Sequence, residues 1–255
     1  MTSRIRHPYL DHPGPIAFAH RGGAADGLEN TELQFRRAVE AGYRYLETDV
    51  HATTDGRLVA FHDATLDRVT DGAGLIAALP WKDVRHARVA GKEPVPLFED
   101  LLETFPEARW NVDVKAEPAL LPLLELIERT NSWDRICLGS FAEARVVRAQ
   151  RLAGPRLATS YGTRGVLNLR LRSWGLPAAV RRSAVAAQVP EMQSGIQVVD
   201  HRFLRTAHAL GLQVHVWTVN EPEQMHRLLD LGVDGIMTDH IDTLRKVMED
   251  RGVWV

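Results

Sequence analysis

Residues 203–218 read Phe-Leu-Arg-Thr-Ala-His-Ala-Leu-Gly-Leu-Gln-Val-His-Val-Trp-Thr: a helix over 203–210, a glycine at 211 and a strand over 212–218. A glycine directly after a helix supplies the left-handed C-cap. The same punctuation stands at Gly42 before 43–50, at Gly154 before 156–160 and at Gly232 before 233–238. Strands that alternate with helical segments of ~10–15 residues imply βαβ units and a parallel sheet. Working outward, 16–19, 110–115, 136–140 and 185–189 read as further strands, and 120–129 and 142–152 as helices. Eight strands in 255 residues is the count of a TIM (β/α)8 barrel, here one domain over 1–255. An open doubly wound sheet is the rival arrangement. Two segments interrupt the rhythm. Residues 52–96 read as an insertion after the second strand, and 163–182 as an irregular stretch with arginines at 164, 170, 172, 181 and 182. Those arginines are either a solvated face or a basic lip for an anionic substrate.

Bulk properties narrow the function. Hydrophobic residues are 45%, charged residues 25% and the net charge is −2. That balance argues against bulk binding of nucleic acid or of an anionic membrane. A single cysteine, Cys137, excludes an internal disulfide and reads as a buried small hydrophobe. Residues 1–15 read as a polar arm: Arg4 and Arg6 precede no apolar run, and no stretch reaches the ~18 residues of a membrane span. A cytoplasmic protein without a stable membrane anchor is the expectation.

Chemistry collects between 16 and 63. His20 and Arg21 follow the first strand, Glu47 and Asp49 lie near the end of the second, and His62 ends a short apolar run. Side chains two apart on a strand point the same way. Leu46, Thr48 and Val50 then face the helices, and Glu47 and Asp49 the barrel interior. Asp113 and Lys115 repeat the pattern on the third strand. Buried acids need a partner. Three carboxylates make a hard oxygen site suited to Mg²⁺ or Ca²⁺. A salt-bridge network of Glu47, Asp49 and Asp113 with Arg21 and Lys115 satisfies the same burial. Two histidines can pass protons at neutral pH, and cationic groups can take charge on phosphoryl oxygens, so the site suits phosphodiester cleavage. The Gly22-Gly23 pair allows backbone N–H groups near a phosphate. Trp217 is either a substrate wall or barrel core, and Asp234 and Asp239 read as turn or helix caps.

Taken together, Ala19-His20-Arg21-Gly22, Glu29-Asn30-Thr31, Glu47-Thr48-Asp49, His62-Asp63, Asp113-Val114-Lys115, Ser140-Phe141, Trp217-Thr218-Val219-Asn220 and the run from Gly232 to Asp239 resemble the glycerophosphodiester phosphodiesterases. They span most of the chain in the family's order, and 185–245 is similar to actinobacterial members. The resemblance implies a TIM barrel with a small insertion at about 52–96. It implies metal-dependent hydrolysis of a small-molecule glycerophosphodiester to glycerol 3-phosphate and an alcohol, in which the substrate's own glycerol hydroxyl can attack first. It makes His20 and His62 the acid–base pair, Glu47, Asp49 and Asp113 the metal ligands, Arg21 and Lys115 the phosphate contacts, and Trp217 a substrate contact. The family commonly has glutamate at position 113. Asp113 is one methylene shorter, about 1.5 Å of reach, and Glu117 is the nearby substitute. Two other activities fit the same site. One is lysophospholipase D-type hydrolysis, with an apolar groove from the insertion and 163–195 (Val166, Leu167, Leu169, Leu171, Trp174, Leu176). The other is non-catalytic binding of phosphorylated glycerol.

Overall fold

The computed structural model describes residues 7–181 and 183–255; Arg4, Arg6 and Arg182 lie outside them. Eight parallel strands form the barrel: β1 (Ile16–Ala19), β2 (Tyr45–Ala52), β3 (Arg109–Val114), β4 (Ile136–Gly139), β5 (Ala158–Thr159), β6 (Ala186–Pro190), β7 (Gln213–Trp217) and β8 (Gly235–Thr238). They neighbour one another in the order β5-β4-β3-β2-β1-β8-β7-β6. A parallel bridge between Ser160 and Ala186 joins the two ends of that row. There the Val185 amide donates to the Thr159 carbonyl at 2.9 Å and the Tyr161 amide to the Ala186 carbonyl at 3.0 Å. This is the TIM barrel, not the open sheet.

Each strand is followed by an outer helix: α1 (Glu32–Glu40), α2 (Phe98–Thr104), α3 (Leu120–Thr130), α4 (Glu143–Ala153), α5 (Thr163–Ser173), α6 (His201–Ala209), α7 (Pro222–Leu231) and α8 (Ile241–Asp250). The two faces of the strands separate two cores. Leu46, Val50, Trp110, Val112, Leu138, Val214, Val216 and Ile236 pack outward with helix residues such as Phe35, Leu123, Phe203 and Leu244. Trp110 is fully buried and meets Phe35 and Phe98 edge-on. Truncating such a ring to alanine costs about 3–5 kcal/mol. Phe18, Tyr45, Cys137 and Met237 form a second cluster with Tyr9. Burial pushes the Cys137 thiol up, so it is a hydrophobe and no nucleophile.

Two sequence expectations change, and the insertion gains detail. The stretch at 163–182 is not irregular throughout, because 163–173 is helix α5. Its Leu-Asn-Leu-Arg-Leu-Arg alternation has the period of a strand and hides the helical one. The arm is polar only in part, because Tyr9 is fully buried, meets the Tyr45 ring at 5.4 Å and accepts the Tyr45 hydroxyl on its carbonyl at 2.7 Å. In the 52–96 segment, a strand at Leu58–Ala60 runs antiparallel to β2. Val59, Phe61, Leu66, Ile76, Val84, Val89 and Val95 then make an apolar cluster of their own. That cluster carries His62 to the rim.

Candidate active site

His20 is the first residue beyond β1, and Arg21 takes left-handed backbone angles (φ 50°, ψ 30°). Such a conformation costs a side-chain-bearing residue about 1–2 kcal/mol. Local bonds hold it there. The Arg21 amide donates to Glu47 Oε2 at 3.0 Å, and its carbonyl accepts the Asn30 amide at 2.9 Å. Its guanidinium reaches Glu29 at 3.2 Å and Asp49 at 3.3 Å. Gly22 follows with φ 85°, and a Cβ there would lie 2.9 Å from Gln34 Cβ on α1. A Cβ on Gly23 would lie 2.7 Å from Ile241 Cγ2 on α8. The glycine pair therefore serves a tight turn against two helices.

On β2 the expected alternation holds: Glu47 and Asp49 are buried on the interior side, and Leu46 and Val50 face the helices. Parallel register sets Asp49 beside Asp113 of β3. Lys115 stands just past β3 and its Nζ bridges the two acids, 2.7 Å from Asp49 and 2.8 Å from Asp113. Burial raises the Asp49 pKa, but Lys115 and Arg21 outweigh it and leave that carboxyl below its usual range. Glu47 has weaker help; burial and the Asp49 charge push it up to about 7.

The two histidines have matched settings. His20 Nδ1 lies 2.7 Å from Asp239 Oδ1. Asp239 is itself fixed by Asn220, which donates to its Oδ2 at 3.1 Å and accepts its amide at 3.0 Å. Burial opposes the imidazolium, yet Glu47 and the Asp239 hydrogen bond outweigh it and raise the His20 pKa. His62 Nδ1 lies 2.6 Å from Asp63 Oδ1. Arg68 grips Asp63 and reaches Glu29 at 2.6 Å, and so joins the His62 side to the Arg21 side. Arg68 first, then His62, holds the Asp63 carboxyl well below the usual range. Sequence reading missed Asp239, Asn220, Glu29 and Arg68 as site residues, and the cap assigned to Asp239 is absent: His240 precedes α8. Asp234 is structural, accepting the Val214 amide at 2.8 Å.

All eight expected residues, His20, Arg21, Glu47, Asp49, His62, Asp113, Lys115 and Trp217, line one cavity of about 580 Å³ at the C-terminal ends of the strands. Trp217 stands in its wall against Phe141, with ring centres 5.7 Å apart. Tyr161, Val166, Leu167, Ile196 and Val198 belong to the same lining. Glu117 is not in the lining; it pairs with Arg145 and Arg148. His215 lies deeper inside the barrel, fully buried, with its pKa lowered by burial to about 4.

The donor set suits a hard cation. All three acids offer oxygen; Arg21 and Lys115 serve Asp49 and Asp113, and the third acid, Glu47, lies 3.8 Å from His20 Nε2. Asp113 Oδ1 is buried without a hydrogen-bond partner. Among the described residues, no three His, Cys, Asp or Glu side chains are grouped tightly enough to hold a metal as they stand. Lys115 occupies oxygens of two of the acids, so a cation competes with it for them.

The sequence model of the Glycerophosphoryl diester phosphodiesterase family matches residues 20–243. A protein of Mycobacterium tuberculosis, "Probable glycerophosphodiester phosphodiesterase 2", is 43% identical, over 96% of this chain and 95% of its own length. The crystal structure of a putative glycerophosphoryl diester phosphodiesterase from Silicibacter pomeroyi superposes with TM-score 0.78 at 24% identity, covering 98% of this chain and 100% of that one. A phosphodiesterase of Oleispira antarctica, solved in complex with the product sn-glycerol-3-phosphate, superposes with TM-score 0.76 at 21% identity, covering 92% and 97%. The last two likenesses speak for the fold.

Proposed function

Because the chain belongs to the glycerophosphoryl diester phosphodiesterase family and is a phosphoric diester hydrolase, we propose that it cleaves a glycerophosphodiester to glycerol 3-phosphate and an alcohol by proton transfer through His20 and His62. One observation carries the reading. Two imidazoles, each tied through Nδ1 to its own carboxylate, line one cavity with the acid cluster. An imidazole tied at Nδ1 has Nε2 free to take or give a proton. One ring takes the proton of the attacking oxygen; the other gives a proton to the departing one. Arg21, oriented by Glu29, and Lys115 lie where they can meet phosphoryl oxygens. Trp217 forms the wall against which the glycerol portion packs. Glu47, Asp49 and Asp113 are the residues that would hold a divalent cation, Mg²⁺ or Ca²⁺. Such an ion, when bound, supplies Lewis-acid stabilisation of charge on the phosphoryl oxygens.

The apolar wall of Tyr161, Val166, Leu167, Ile196 and Val198 favours a second substrate class, the lysophospholipids, whose single acyl chain it can cover. A binder without turnover has no need of two oriented imidazoles. Incubation with glycerophosphocholine and with lysophosphatidylcholine, with Mg²⁺ or Ca²⁺ present, tests both readings. Release of glycerol 3-phosphate from the first is expected. Tight binding with no ester cleaved over hours overturns the proposal. Faster release of lysophosphatidic acid from the second would put the lysophospholipid reading first.

A further inference from the structure

Charge along the chain is uneven. Residues 144–190 contain nine arginines and no acid, while all 33 acids and the other 22 basic residues lie outside that stretch. Some of these arginines are matched from elsewhere: Arg145 and Arg148 by Glu117, Arg156 by Glu128, Arg170 by Asp200. Arg164 and Arg172 are exposed on α5 and have no carboxylate partner among the described residues.

The same side of the mouth is apolar. Phe141, Leu167, Trp174 and Ile196 line the cavity, yet are 60%, 53%, 42% and 50% exposed. Leu176 and Met192 are exposed on the same segments, so six of the eleven exposed large hydrophobic side chains described belong to this rim. Every residue from 192 to 197, a two-stranded hairpin, is exposed. Arg164 precedes Leu167 by three positions and Trp174 follows it by seven, which sets all three along one side of α5 and its C-terminal end. Scattered exposed apolar residues need no explanation, but a cluster of them rimming one opening does.

We propose that this rim, the end of α5 with Trp174 and the 192–197 hairpin, docks onto the surface of an anionic lipid bilayer, so that the cavity opens toward the lipid. Apolar side chains and an amphipathic tryptophan enter the headgroup region, and Arg164, on the same side of α5 as Leu167, faces anionic headgroups. Charge selects the occupant: an acid-free stretch beside an apolar rim complements negatively charged lipid. A two-fold contact of this rim with a second copy would instead bring Arg164 of both chains to one seam. The inference goes beyond the reaction proposed above and does not depend on it.

Co-sedimentation of the full chain with phosphatidylcholine vesicles, with and without a phosphatidylglycerol fraction, tests this. The expected result is binding to the anionic vesicles that weakens as salt is added. The variant Arg164→Glu should bind roughly tenfold or more weakly. Met192→Asp should also bind more weakly. Both should turn over soluble glycerophosphocholine at the wild-type rate, and failure of that turnover in the wild type would count against the proposed reaction and leave the vesicle result readable. Trp174→Phe should remove most of the fluorescence blue shift on anionic vesicles. Absence of wild-type binding to anionic vesicles at low salt would overturn the proposal. So would binding untouched by the substitutions, or self-association that they abolish.

Discussion

His20 Nδ1 and Asp239 Oδ1 are 2.7 Å apart and 219 residues apart in the chain. The barrel makes this contact by pairing its first strand with its last: Ala19 stands beside Thr238, so His20 and Asp239 leave neighbouring strand ends together. Asn220, on the loop after β7, closes the group from the far side of Asp239. The ring is thereby fixed in one orientation by a carboxylate that does not itself line the cavity.

Replacing Asp239 by Asn removes the charge that steadies His20. The turnover number on glycerophosphocholine should fall roughly 10- to 1000-fold with KM little changed, less than the about 10²–10⁴-fold a positioned acid or base itself contributes. Steady-state kinetics on a variant with an unaltered circular dichroism spectrum checks it. Asp63→Asn should act in the same direction through His62.

The buried acids make a claim about cations. Calorimetric titration of the wild type with Mg²⁺ or Ca²⁺ should show one binding event, and Glu47→Gln or Asp113→Asn should weaken it about tenfold or more. Chelation should abolish turnover, and added cation should restore it. An unchanged affinity in both variants would move the cation elsewhere.

Gly22 should not tolerate a side chain. Its φ of 85° and a Cβ position 2.9 Å from Gln34 Cβ compound each other. Gly22→Ala should cost about 2 kcal/mol or more in urea-midpoint measurements. A neutral result would mean that α1 can draw back from the turn.

His215 should make the fold acid-sensitive. Its pKa of about 4 lies below the ~6.5 of an unfolded histidine, so its stabilising effect is complete above pH ~6.5 and is lost as pH falls through 4. Across that window the wild type should lose about 3 kcal/mol more than His215→Gln, measured as urea midpoints at several pH values. Parallel losses would contradict the assignment.

Much of this was readable in the chain, for identifiable reasons. Glycines ending helices marked the βα rhythm, and Gly42 and Gly232 do take positive φ, 93° and 94°. The inward set of Glu47 and Asp49 follows from strand alternation alone, and parallel register then brings Asp113 alongside. Position in the chain, by contrast, says nothing of which turn meets which. Asp239 read as a cap because an acid before a helix usually is one. Arg68 lay in an insertion without helical or strand period, so its bridge from Asp63 to Glu29 had no sequence signal. Helix α5 was hidden by leucines and arginines at alternate positions; of these Leu167 lines the mouth, Leu169 is buried in the core and Arg170 is paired with Asp200.

The central claim is that two imidazoles beside one acid cluster break a phosphodiester. It is tested most directly by the turnover numbers of His20→Ala and His62→Ala on glycerophosphocholine with saturating divalent cation. Each should fall by about a thousandfold or more while cation binding persists. Wild-type turnover in either variant would contradict the account.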